Sequence, residues 1–294
     1  MSRRGFVLFV LMGIVWGIPY LLIKVAVSEL SPPTLVLFRT AVGAAILLPI
    51  ALRRGDLAPL RRHWKAVAAY TVVEVAIPWL LLSHAETRLS SSLSGLLVAM
   101  VPLVGVLLTW VLQSGDRLDG TALLGLLVGL LGVGLLVGLD VSVKDISAAG
   151  EIVLVTIGYA IGPQIIARRL HGVPAMGVVT ASLVLTAVLY APVGILLAPR
   201  TAPALPVLAS VVGLGAVCTA FAFLGFFALI AEIGPVRATV IAYVNPAVAL
   251  LLGVVLLREA FTVGAGLGFV LILAGSLLTT RRPGAAAQPT VAEP

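Results

Sequence analysis

Residues 234–280 hold two apolar stretches joined at one charged corner, Arg258-Glu259. Each is close to the ~20 residues that a helix needs to cross the hydrocarbon core of a bilayer. Such a segment is read as a membrane hairpin, and the rest of the chain repeats its pattern. Apolar runs predict ten helices, at 6–27, 34–52, 64–82, 91–112, 118–139, 151–167, 173–197, 205–230, 235–257 and 262–280. The first follows Met1-Ser-Arg-Arg, but it is long for a signal peptide and lacks a small-residue cleavage site, so it is read as a retained helix. Composition agrees, because 61% of the residues are hydrophobic, only 11% are charged, and the charges cluster between the runs. That balance excludes a soluble domain. The expected fold is all-α and integral to the membrane, with ten transmembrane helices.

A shift of 144 positions superposes Pro246 on Pro102, Gly264 on Gly120, Pro163 on Pro19 and Arg168 on Lys24. Coincident prolines inside apolar segments indicate duplication. The chain then divides into a first five-helix repeat (1–139), a polar connection (140–150), a second repeat (151–280) and a disordered tail rich in Pro and Ala (281–294). Five is an odd number, so the second copy is expected upside down relative to the first: two inverted repeats.

The formal charge of +7 and pI near 10.2 come without a basic stripe interleaved with aromatics, so nucleic acid is not the expected partner. The bases sit in short loops. Arg3, Arg4, Arg53, Arg54, Arg61, Arg62, Lys65, Arg117, Arg168, Arg169, Arg281 and Arg282 fall on one face, against Arg88, Lys144, Arg200 and Arg258 on the other. By the positive-inside rule the first face, with both termini, is cytoplasmic. The lone Cys218 forms no intrachain disulfide and reads as a packed thiol.

Trp16-Gly17, Lys24, Pro32-Pro33 and Arg39, with Ala238, Pro246 and Glu259, resemble the drug/metabolite transporter superfamily, in particular its EamA-type branch. The likeness covers essentially the whole chain. It implies ten helices and export of small metabolites across a bacterial inner (plasma) membrane, with substrates that range over amino acids, drugs, vitamins and nucleotide-like compounds. Where the second half has Glu259 the first has Gly115-Asp116, a departure from symmetry.

An acid at the centre of a membrane helix costs about 2.5–3.5 kcal/mol on insertion scales, so Glu74, mid-way along the third run, stands out. Helical spacing puts Tyr70, Glu74 and Pro78 on one face with Trp79 beside them. Glu74 is the candidate proton-coupling carboxyl or a ligand for a cationic substrate group; the competing reading is a structural hydrogen bond to a neighbouring helix. Trp16, Tyr20 and Lys24 recur every four residues, as cavity wall or as filler between helices, and Lys24 is either an interfacial anchor or a carboxylate clamp. Arg39 is read as a structural partner. Prolines 19, 78, 102, 163 and 246 interrupt helices and are candidate hinges, the paired ones pointing to a midplane site. Tyr159, Gln164, Thr219, Phe223, Tyr243 and Asn245 stand around them as further candidate site walls. Gly125-xxx-Gly129 and Gly264-xxx-Gly268 are small-xxx-small spacings for close helix packing, between halves or across a dimer.

His63, His84 and His171 lack metal-ligand spacing, and neither a nucleophile elbow nor a phosphate loop is present. No enzyme, metal or cofactor is expected. The expected function is a secondary exporter of small metabolites, most of all amino acids, working by alternating access, with the lipid bilayer, a small-molecule substrate and protons as partners and a monomer or homodimer as the assembly. The alternatives are a multidrug or organic-cation exporter and, in another class, a non-transporting sensor or scaffold.

Overall fold

The computed structural model describes residues 2–112, 120–234 and 238–280. The expected tail at 281–294, Gly115-Asp116, Arg117 and the start of the ninth run at 235 lie outside the described residues. Within them every regular element is a helix. Eight spans are long and apolar enough to cross a membrane: α1 (Arg3–Ala26), α2 (Pro32–Arg54), α3 (Ala58–Ala85), α4 (Ser91–Leu108), α5 (Gly120–Asp140), α6 (Val143–Arg169), α7 (Ala175–Leu196) and α8 (Leu205–Ile233). Two shorter apolar helices follow, α9 (Val240–Leu256) and α10 (Val263–Thr279). The chain is an all-α, multi-pass membrane protein. Leu123, Leu124, Leu127, Leu130 and Leu131 on α5, and Val188 and Leu189 on α7, stand exposed, as side chains facing lipid do.

Local chemistry sets the helix ends. Ser2 accepts from Gly5 N at 2.9 Å, Ser31 accepts from Thr34 N ahead of Pro32-Pro33, and Ser90 accepts from Leu93 N at 3.1 Å, each supplying a side-chain oxygen to an orphan N–H. Gly55, at φ 71°, ends α2 in the left-handed conformation.

Three helices break and restart at a proline. In α1, Gly17 N turns to Ile14 O (2.9 Å) instead of Gly13 O, and helix resumes at Pro19. In α4, Met100 N bonds Leu97 O (3.1 Å) before the segment Val101–Leu112 that carries Pro102. In α9, a 3₁₀ turn over Thr239–Tyr243 gives way to Asn245–Leu256 with Pro246 second. Pro78 is handled differently: a π-helical turn, Thr71–Ala76, absorbs the missing donor ahead of it. A second π-helical stretch, Gly213–Phe221, lies in α8. Pro163 sits exposed within the unbroken helix Ile146–Arg169. Pro49 and Pro192, inside α2 and α7, are further helix-interior prolines that the sequence reading did not single out.

Packing pairs α2 with α7, α5 with α10, α3 with α6, α4 with α9 and α1 with α8. The α5–α10 contact is backbone on backbone. A Cβ on Gly275 would stand 2.5 Å from Gly125 O and 2.6 Å from Gly129 Cα, and one on Gly132 would stand 2.8 Å from Ile272 N. Only glycine lets these helices meet so closely. At the basic end, a cavity of about 410 Å³ is lined by Arg62, His63, Trp64, Lys65, Ala66 and Arg169, which brings the start of α3 beside the end of α6.

Candidate functional site

The centre of the bundle is built around Arg39, two turns into α2 and only 6% exposed. Its guanidinium carbon lies 3.6 Å from the ring centroid of Trp79 on α3, and its Nε donates to Thr219 Oγ1 on α8 at 3.3 Å. Tyr20, Tyr159 and Cys218 are within electrostatic reach of its charge, and the Trp79 indole reaches the Tyr159 hydroxyl. Arg39 takes part in neither of the ion pairs found among the described residues. The Glu86 carboxyl is also within electrostatic reach but forms no ion pair with it, and a planar cation stacked on an indole suits an anionic or polar group. The structure thus places Arg39 in the same cluster as four of the expected site residues, Tyr20, Trp79, Tyr159 and Thr219.

Glu74 sits in the π-helical turn, pressed against Gly162 of α6, so that a Cβ there would collide with its carboxylate. Its Oε2 is buried without a hydrogen-bond partner. Tyr159 lies within range of its charge and borders both of the larger hydrophobic clusters. Trp16, at the break in α1, packs against Phe226 (centroids 4.7 Å apart) and edge-on to Phe223 (5.8 Å). Tyr20 is buried beside Gly95 of α4. Asn245 joins two interruptions: with its amide oriented so that nitrogen rather than oxygen faces the two carbonyls, it donates to Gly13 O at 3.0 Å and to Ile241 O at 2.9 Å. The break in α1 frees Gly13 O from its helical donor, and Asn245 supplies the replacement. Tyr243 donates to Ser276 O at 3.4 Å, tying α9 to α10. Gln164 folds back to donate to Ala160 O at 3.2 Å on its own helix.

The end opposite the basic loops is held by a polar layer. Lys24 Nζ donates to Glu86 O (2.7 Å) and Leu89 O (2.8 Å), clasping the α3–α4 corner to α1. Its partners are carbonyls, neither lipid nor a carboxylate. Glu259 accepts from Ser91 N (2.8 Å), Ser91 Oγ (3.0 Å), Ser92 N (2.9 Å) and Ser92 Oγ (2.5 Å), capping α4 from the α9–α10 turn. Arg258, at φ 56°, makes the left-handed turn that aims it there. Burial pushes the Glu259 carboxyl up, but the hydrogen bonds from Ser92 and Ser91 outweigh it and hold the group below the usual 4.5. Arg88 donates to Ser147 Oγ (2.7 Å) and pairs with Glu151 (2.9 Å), which also meets His84 Nδ1 (2.8 Å). His84 therefore ends α3 with an acid partner. Among the described residues no three His, Cys, Asp or Glu side chains converge on a metal position.

The structure is thus a membrane bundle of about ten helices, interrupted near its middle around an arginine stacked on an indole. The model of the EamA-like transporter family matches residues 3–138 and 148–281, and the chain belongs to that family. It is 24% identical over 270 residues to an uncharacterized transporter of Archaeoglobus fulgidus, across 91% of this chain and 95% of that one. A protein solved as a crystal structure shares the fold at a TM-score of 0.66 and 22% identity, covering 95% of this chain and 97% of its own.

Proposed function

We propose that this transporter exports small metabolites, amino acids foremost, from the bacterial cytoplasm across the inner membrane, with both termini cytoplasmic. It works by alternating access between two inverted five-helix repeats, 1–139 and 151–280, with 140–150 as the connection, of which the part from Val143 on is already wound into the start of α6. Support for the repeat comes from features one repeat length apart: π-helical turns at Thr71–Ala76 and Gly213–Phe221, breaks before Pro102 and Pro246, and interior prolines at 49 and 192. The family match falls on either side of 139–147, close to the expected connection. Two similar half-bundles give two similar energy wells, each exposing one central site to one side.

The observation that carries the reading is Arg39, stacked on Trp79 and bonded to Thr219 at bilayer depth, in no ion pair and with the Glu86 carboxyl only within electrostatic reach. An amino acid's carboxylate supplies a direct partner for Arg39, and Glu74, which has Tyr159 as a neighbour in common with Arg39, is the group for its ammonium or for a coupled proton. The Trp16–Phe223–Phe226 stack favours, as a second reading, an aromatic organic cation held by Glu74.

Counterflow of labelled amino acids and organic cations in proteoliposomes, at two pH values, tests this. Amino-acid exchange that falls at least tenfold in Glu74→Gln is expected. Exchange of cations alone would replace the first reading with the second. No exchange by folded protein would leave a sensor or scaffold.

A further inference from the structure

Glu86 follows α3 directly, outside the membrane-spanning segment, and the sequence gives it no distinction from other loop acids. In the structure it is fully buried, and neither carboxylate oxygen has a hydrogen-bond partner. The donors of the α1 and α4 ends nearest this corner are committed elsewhere. Lys24 spends its ammonium on the main-chain oxygens of Glu86 and Leu89, and Ser91 and Ser92 give their N–H and O–H groups to Glu259. We propose that Glu86 is a proton-binding site whose occupancy holds this end of the bundle shut.

An ionised carboxylate without a single hydrogen bond, sealed from water, is among the most costly groups a fold can hold, whereas a neutral carboxyl is tolerated. The charged and titratable groups facing Glu86 are Lys24 and Tyr20 from α1, Arg39 from α2 and Glu259 from the α9–α10 turn. His84 and Arg88, on its own corner, are engaged with Glu151 and Ser147 of α6. Burial holds the Glu86 proton well above the usual carboxylate range; Lys24 and Arg39 work against that, and the negative charge of Glu259 reinforces it.

Opening reverses the balance. Parting α1 from the α3–α4 corner breaks both Lys24 bonds, lets water in, and frees the ammonium to pair with the Glu86 carboxylate. One proton passes from Glu86 to bulk water as this end opens and returns as it closes. The closed form binds the proton more tightly, so low pH favours closure and rising pH favours opening. This deepens the alternating-access reading, on which its role in transport rests, yet its test requires no substrate, so failed counterflow leaves it untouched.

The experiment uses full-length protein in nanodiscs with Cys218→Ala. Spin labels at Ser28→Cys, beyond α1, and Ser142→Cys, ahead of α6, report separation across the Lys24 contact between pH 5 and 8.5. A single short distance at pH 5 and a longer population that grows with pH, at up to tenfold per unit for one proton, is expected. Glu86→Gln keeps the short distance at every pH. Glu86→Asp, which retains an ionisable group, keeps a transition with a moved midpoint and guards against a variant that does not fold. His84→Gln responds like the parent. A parent without pH response, a Glu86→Gln variant that still responds, or loss of the response in His84→Gln overturns the proposal.

Discussion

Removing the Glu259 cap should unlatch the end of the bundle opposite the basic loops, and the geometry sets the size of the effect. Glu259→Gln keeps one oxygen for Ser91 but turns an NH₂ toward the N–H and O–H of Ser92, which now reach Oε2 at 2.9 and 2.5 Å. The Ser92 N–H at the head of α4 is left facing a donor. Hydrogen bonds to a charged acceptor contribute about 1.5–3 kcal/mol, so the closed arrangement should lose roughly 10- to 150-fold in population. Gly253→Ala reaches the same place by another route, because its Cβ would collide with Ser92 Oγ and Glu259 Oε2. The readout is the rate at which a charged thiol reagent modifies Ser94→Cys, in nanodiscs with Cys218→Ala. Ser94 is fully buried one turn behind the cap. At least tenfold faster modification is expected in both variants. The pH dependence has a definite sign: Glu259 is held below 4.5, so the cap contributes fully above that pH and is lost as pH falls through the lowered value. Unchanged modification in both variants would refute the assignment of Glu259 as a latch.

Gly275→Ala drives a methyl into the α5 backbone at Gly125 and Gly129, and should lower the thermal midpoint in detergent by an overpacking cost of about 1–3 kcal/mol. Asn245→Ala strands Gly13 O at the break in α1; a destabilisation of about 1–3 kcal/mol is expected, with counterflow impaired beyond what the change in folded protein explains. Arg39→Lys preserves charge but loses the stacked plane over Trp79 and the Nε bond to Thr219, so counterflow should fall about tenfold or more while the protein still purifies folded. Equal rates for Arg39→Lys and the parent would move Arg39 back to a purely structural role.

Much of this molecule can be read before any coordinates exist, because a bilayer permits few solutions. Apolar runs of membrane length gave the helices, most ends to within a few residues, although α3 and α6 begin at Ala58 and Val143, ahead of the expected 64 and 151; Pro19, Pro102 and Pro246 marked real breaks because a missing N–H has no substitute in hydrocarbon. Pro163 shows the limit: the same residue type within α6 leaves the helix continuous, since the local rule says that a bond is lost and not how neighbouring turns adjust. The π-helical turn at Thr71–Ala76 is equally invisible in sequence, and it rotates Glu74 onto Gly162. Arg39 was conspicuous as a lone cation in an apolar run, but its partners Trp79 and Thr219 lie 40 and 180 positions away, beyond any spacing rule. Glu86 left no sequence signal. It follows the last apolar turn of α3 as a loop acid would, and only the packing of α1 over that corner buries it.

The proposed transport cycle requires the interior around Arg39, Glu74 and Trp16 to be a solute path that opens to each side in turn. Single cysteines at Trp16, Glu74 and Tyr243, with Cys218→Ala, exposed to a charged thiol reagent from each face of sealed vesicles, test it directly. Modification from both faces, slowed by a transported amino acid, is the predicted result. Folded protein whose three positions resist the reagent from either face would contradict it, and would mean a dry bundle that carries nothing across.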